Sequence, residues 1–408
     1  MSGMTGVIDS LWSLIIRPWS LRTDTLMGVA LLLVVAALLG EAAWRWLRWP
    51  RLIGYCAAGT LLAAGNVGAR GTEPALRLAI DVALALLLFE TGARVNLRWL
   101  RRNQRLLATS LLEALASCAA VYALARWFGV EARAAAAIAV VMMSVSPAVV
   151  LRVVGESGAA GQVTERLIVL STLSTLYALI GAQLLGAGLV LSEPASWERT
   201  LVPTLATFAG SLVLGALLGS VIAAIARRLD LRNENSTVLL LGCVLLALVI
   251  AKSLQMSTLL VPLLAGLWLR NRTERPWVWP RHFGTAGGVL VLVLFVASSS
   301  AGSLNMLLMA GGMAGALLGV RLVVKGLAIV ALAHPSGLSW RQAACMAAGT
   351  LPLSATAWLI GLDFTAQHPE PGAVLMPILL AAMAILELPG PLVLLYGLRF
   401  AGEADAHA

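Results

Sequence analysis

Met142-Met143-Ser144-Val145-Ser146-Pro147-Ala148 and Ala348-Gly349-Thr350-Leu351-Pro352-Leu353-Ser354 lie about half a chain apart, and the rest of the sequence is read outward from them. Each places a proline and small hydroxyl residues inside a run otherwise apolar enough to cross a bilayer. Proline removes a backbone donor and clashes with the carbonyl a turn back, so a helix kinks or unwinds there. In lipid, freed backbone groups are tolerated only where they are buried in protein or line a cavity. Interrupted helices at matching places in two halves point to a secondary transporter's binding site. Proline also occurs in membrane helices as a simple packing kink, and the matched placement favours the site.

The composition sets the class. Of 408 residues, 60% are hydrophobic and 12% charged, whereas a soluble chain carries about 25% charged residues. No hydrophilic block is long enough for a soluble domain, so a single membrane domain is expected over 24–398. Residues 1–23 lack a basic start and a small-residue cleavage site, which excludes a signal peptide. The stretch Leu11 to Ile16, flanked by Pro18 and Trp19, reads as an interfacial segment. Cys56, Cys118, Cys243 and Cys345 sit singly without CxxC spacing, as packed thiols do. His282, His334, His368 and His407 fall in loops or the tail, so no metal site is expected. Neither an enzyme activity nor a cofactor is indicated.

About twenty apolar residues span a bilayer. The sequence supplies thirteen such segments, several of them short: 24–44, 51–67, 75–92, 105–127, 134–155, 164–191, 200–226, 236–252, 256–270, 284–300, 304–332, 339–361 and 372–398. Starting outside, 19 Lys and Arg fall on the cytoplasmic side and 8 on the other, with Arg321 and Lys325 inside a span. The positive-inside rule then puts the N-terminus outside and the short 399–408 tail in the cytoplasm of a bacterial-type inner membrane. The net charge of +9 reflects that rule rather than nucleic-acid binding. Thirteen spans divide as six, one and six, which inverts the second copy, so Pro147 and Pro352 fall in equivalent fifth members.

Several stretches resemble the monovalent cation/proton antiporter superfamily, the sodium/proton exchanger-like proteins. They are Leu86 to Gly92, Ser146-Pro147-Ala148-Val149-Val150-Leu151, Leu264-Ala265-Gly266-Leu267, Arg321 to Lys325, Gly337 to Ala343 and Glu387-Leu388-Pro389-Gly390-Pro391, in the family's order. The resemblance implies an all-α polytopic fold of two inverted six-helix repeats with crossed broken helices, and an elevator core moving against an interface part. The interface part would be about 24–92 and 236–300, and the core part about 105–191 and 304–398. It also implies a homodimer and a small ion or solute as cargo.

The chain departs from the family where the chemistry lies. Ser146 stands where members place an acidic residue before the proline. Ser174-Thr175 falls at the family's Asn-Asp pair, and Leu170 at the glutamate that pairs with the arginine retained as Arg321. No Asp or Glu occurs between Glu165 and Glu193, so a small gap restores none of these carboxylates. Hydroxyls coordinate ions but do not titrate near neutral pH, so Ser146 and Thr175 cannot couple a cation to a proton by themselves.

The candidate ion or solute site is therefore Ser144, Ser146, Pro147, Ser171, Ser174, Thr175, Arg321, Lys325, Thr350, Pro352 and Ser354. Ser171, Ser174 and Thr175 share one helical face and either line a cavity or let helices approach closely. Arg321 and Lys325, one turn apart, leave the site net positive unless partnered, which would suit an anion or neutral solute. Alternatively, Lys325 snorkels and Arg321 bonds the carbonyls of a broken helix. Glu90 and Glu387 fall near segment ends and read as structural. Glu113 is the first candidate proton carrier and Asp81 the second, and Glu113 could equally be the relocated partner of Arg321. A non-transporting membrane scaffold is the remaining alternative.

Overall fold

The computed structural model describes residues 25–64, 74–191, 197–228, 234–272, 283–302, 304–353 and 355–404. Among them the fold is all-helical, with no strand. The chain divides after Val35. Of the first unit, the described part is the opening of helix α1 (Thr25–Ala42), and the interfacial segment expected over 1–23 lies outside the described residues. The second unit, Ala36–Ala408, holds everything discussed below.

After α1 a π-helical turn (Ala43–Leu47) leads to α2 (Arg51–Ala64) and α3 (Pro74–Arg94). A short helix α4 (Leu97–Arg102), capped by the Asn96 side chain, precedes α5 (Gln104–Trp127). The first break follows, between α6 (Ala132–Met142) and α7 (Pro147–Ser157). Next come α8 (Gln162–Leu191), α9 (Trp197–Arg228), α10 (Glu234–Ser253), α11 (Leu260–Arg272), α12 (Phe283–Ser300) and α13 (Leu304–Ala331). The second break separates α14 (Trp340–Gly349) from α15 (Ala355–Gln367), and the chain closes with α16 (Pro369–Leu386) and α17 (Pro389–Ala401).

Eight of these stretches are long and apolar enough to cross a membrane, and two shorter apolar helices accompany them. One expectation changes: the segment 372–398 is not continuous but turns at Glu387 and Leu388. Pro389 ends α16 because it has no amide hydrogen to donate, and it sits without penalty in the first turn of α17.

The exposed faces of the helices are apolar, and polar residues of the core helices point inward. On α5, Leu111, Leu112 and Leu115 are exposed while Ser110, Glu113 and Ser117 are buried. On α13, Leu308, Val323 and Leu327 are exposed while Arg321 and Lys325 are buried. Close approach depends on glycine. A Cβ on Gly92 would lie 2.2 Å from the Leu263 carbonyl oxygen, and one on Gly266 2.1 Å from that of Phe89. Backbone on both sides leaves no room to give, so α3 and α11 touch through these two residues. They are the glycines of Leu86–Gly92 and Leu264–Leu267, and this contact is the physical reason for both patterns. Around it, Phe89, Leu218, Ile222, Val244, Val261 and Leu269 form an apolar core shared by α3, α9, α10 and α11.

The packing is consistent with an inverted repeat. Exchanging the two halves turns the α3–α11 contact into the α2–α12 contact, and both are made. The same exchange maps the α5–α13 contact onto itself, and that pair is packed as well.

Candidate functional site: the crossing of two broken helices

The two breaks meet. The amide of Ser146 donates to the carbonyl of Pro352 at 3.0 Å, joining the first break to the second through backbone. Each break leaves the last carbonyls of one half-helix without amide partners, and Arg321 collects them. Its Nε donates to Met142 O at 2.6 Å, Nη2 to Ser144 O at 2.8 Å and Thr350 O at 3.1 Å, and Nη1 to Leu351 O at 3.1 Å. Two acceptors come from the end of α6 and two from the end of α14. These carbonyls are the negative ends of the two helix dipoles, which favours a cation among them. This explains how Arg321 stays buried.

Lys325 completes the first break. Its Nζ donates to Met143 O at 2.8 Å and to the carboxylate of Glu113. Both side chains of this ion pair are fully buried. The other carboxylate oxygen, Glu113 Oε1, is buried with no hydrogen-bond partner among the described residues. Glu113 sits in a stripe of buried polar residues on α5, with Ser110 and Ser117 a turn to either side. Ser110 in turn shares a 3.0 Å hydrogen bond with the Tyr177 hydroxyl of α8.

The hydroxyls at the crossing bind backbone. Ser146 Oγ caps α7 by accepting from Val149 N at 3.4 Å. Ser174 Oγ accepts from Val145 N at 3.1 Å, and Thr175 Oγ1 donates to Val145 O at 2.9 Å. Ser171, Ser144 and Thr350 each donate to the carbonyl three residues back. Pro147 opens α7 at its first position, and Pro352 supplies the carbonyl that Ser146 reaches. Ser354 lies outside the described residues.

The structure thus brings Ser144, Ser146, Ser174, Thr175, Arg321, Lys325, Thr350 and Glu113 to one crossing. Asp81 is elsewhere, paired with Lys252 of α10 at 2.5 Å. One sequence alternative is resolved: Glu113 partners Lys325, not Arg321. Among the described residues no group of His, Cys, Asp and Glu could hold a metal ion. A small cavity beside the second break, lined by Cys56, Ser298, Pro352 and Glu387, separates the crossing from α2 and α12.

A multi-pass helical membrane protein with paired, crossing half-helices is the class this geometry defines. The sequence model of the sodium/hydrogen exchanger transmembrane family matches residues 30–392. The chain belongs to that family, and with it to the cation/proton antiporter superfamily. The fold is similar to that of the sodium proton antiporter MjNhaP1 from Methanocaldococcus jannaschii. Its structure at pH 8 matches with a TM-score of 0.61 at 16% identity, over 92% of this chain and 95% of that one. Its electron-microscopy structure matches with a TM-score of 0.71 at 15% identity, over 93% and 97%. No curated protein matches the sequence.

Proposed function

We propose that the chain is a secondary-active transporter that exchanges a monovalent cation for a proton, with Glu113 as the proton-carrying group in place of the missing carboxylates at the break. The observation that carries this is the buried Glu113–Lys325 pair, in which Lys325 also reaches the Met143 carbonyl and one carboxylate oxygen has no hydrogen-bond partner among the described residues. A carboxylate at membrane depth is costly and is usually found where ions or protons pass. Competition would couple the two: a proton on Glu113 neutralises the carboxylate and expels a cation held there, and loss of that proton restores a ligand that a cation could share with the Met143 carbonyl once Lys325 swings aside. Serine and threonine at the crossing would shape the path without titrating. Membership of the sodium/hydrogen exchanger family supports the class.

A second reading is a non-transporting scaffold. It draws on the closure of the crossing itself, where Arg321, Ser174 and Thr175 are all fully buried and bonded to backbone. The anion or neutral-solute reading drew on two unpartnered cations, and Lys325 is paired with Glu113.

Purified protein in proteoliposomes, challenged with inward gradients of sodium, lithium and potassium while internal pH is followed, separates the two. Cation-driven alkalinisation or acidification is expected for at least one of them. Silence with all three, in either orientation of the gradient, would leave the scaffold reading.

A further inference from the structure

A cleft of about 480 Å³ opens where the α4–α5 corner, the start of α8 and the α13–α14 connection come together. By the arginine asymmetry this is the cytoplasmic face. Its wall includes Arg102, Asn103, Arg105, Arg166, His334 and Ser336, and no Asp or Glu. Arg105 donates to the carbonyl of Pro335, and Arg166 Nη2 donates to that of Ser336 at 2.9 Å. These contacts hold two guanidiniums in place at the rim. The other terminal nitrogen, Arg166 Nη1, is buried with no hydrogen-bond partner among the described residues.

The start of α5 adds to this. Asn103 is its N-cap by position, yet its side chain makes no capping bond and instead donates to Trp99 O at 2.9 Å. A helix of this length presents about half a positive charge at such an end, with amides directed outward. An uncapped helix start, three guanidiniums and a buried unsatisfied donor therefore converge on one polar cleft.

We infer that the cleft binds a phosphate-bearing anion, held by Arg102, Arg105 and Arg166 at the N-terminus of α5. Arginine forks match phosphate oxygens bidentately, and charge-assisted bonds of this kind are the strong ones. The volume falls within the roughly 300–1,000 Å³ range of small-molecule sites, more than a bare phosphate fills. The phosphate therefore belongs to a larger body, either a soluble phosphate ester or a lipid headgroup. The occupant would tie together the ends of α5, α8 and the α13–α14 connection, the elements that also carry Glu113, Ser174 with Thr175, and Arg321 with Lys325.

The test uses the full chain in nanodiscs of zwitterionic lipid, with thermal unfolding as the readout. Pyrophosphate is titrated against citrate at matched ionic strength. A second set of nanodiscs contains phosphatidic acid. Stabilisation by pyrophosphate beyond citrate supports a soluble phosphate compound, and stabilisation by phosphatidic acid alone supports a lipid headgroup. Arg102→Gln, which removes no hydrogen bond seen in the fold, is expected to weaken the apparent affinity about tenfold. Arg166→Gln should do the same, and Arg102→Lys should retain part of it. Neither probe stabilising more than its control would overturn the site, as would wild-type affinity in both glutamine variants.

Discussion

At the residue scale, Arg321 is explained by where its donors go. Four carbonyls from two half-helices depend on it, so replacing it strips the partner from four acceptors around a fully buried side chain. Arg321→Ala is expected to lose at least about 3 kcal/mol of stability, the scale of stripping a partner from a buried charge. Arg321→Lys should rescue little, because an ammonium cannot span acceptors on both breaks. Thermal unfolding in mild detergent checks both. Lys325 and Glu113 behave differently because each is the other's main partner. Each single change, Glu113→Gln or Lys325→Met, should therefore destabilise more than half as much as the double, and a double-mutant cycle should give a clear coupling energy. Additive losses would show that the pair is not one unit. The sequence exposed all three charges but not the pairing. Arg321 and Lys325 share one face one turn apart, so spacing could not say which of them reaches α5.

At the element scale, the breaks were legible because proline and hydroxyl residues interrupt otherwise unbroken apolar runs. Their crossing was implied only by the resemblance, since no local pattern makes Ser146 N meet Pro352 O. Less visible still was the role of the chain's end. Residues 399–408 read as a short tail, yet Arg399 to Ala401 complete α17 and Glu403 caps α8. The Glu403 carboxylate accepts from Val163 N at 2.8 Å and Thr164 N at 2.7 Å, while its carbonyl accepts from Ala160 N at 2.9 Å. A negative charge at a helix start is favourable, and the contact is 239 residues away in sequence, beyond any local signal. Glu403→Ala is expected to cost about 0.5–2 kcal/mol. Hydrogen exchange should then rise in the first turns of α8. Unchanged protection there would mean that the cap is incidental.

At the scale of the whole molecule, the order of apolar segments anticipated the helices, because bilayer thickness fixes their length and backbone satisfaction fixes their type. The half-exchange seen in the packing accords with the inverted repeat, although spacing rather than sequence identity suggested it. The arginine asymmetry predicts opposite sides for the two termini, and reporter fusions before Met1 and after Ala408 check it. Both ends on one face would break the repeat. The central claim is that Glu113, not the Ser174–Thr175 position, couples cation to proton. It is tested most directly by cation-driven pH change in proteoliposomes of wild type, Glu113→Gln and Asp81→Asn. The account predicts exchange by wild type, continued exchange by Asp81→Asn, and loss of proton coupling in Glu113→Gln despite a folded, monodisperse protein. Exchange at the wild-type rate by Glu113→Gln would contradict it.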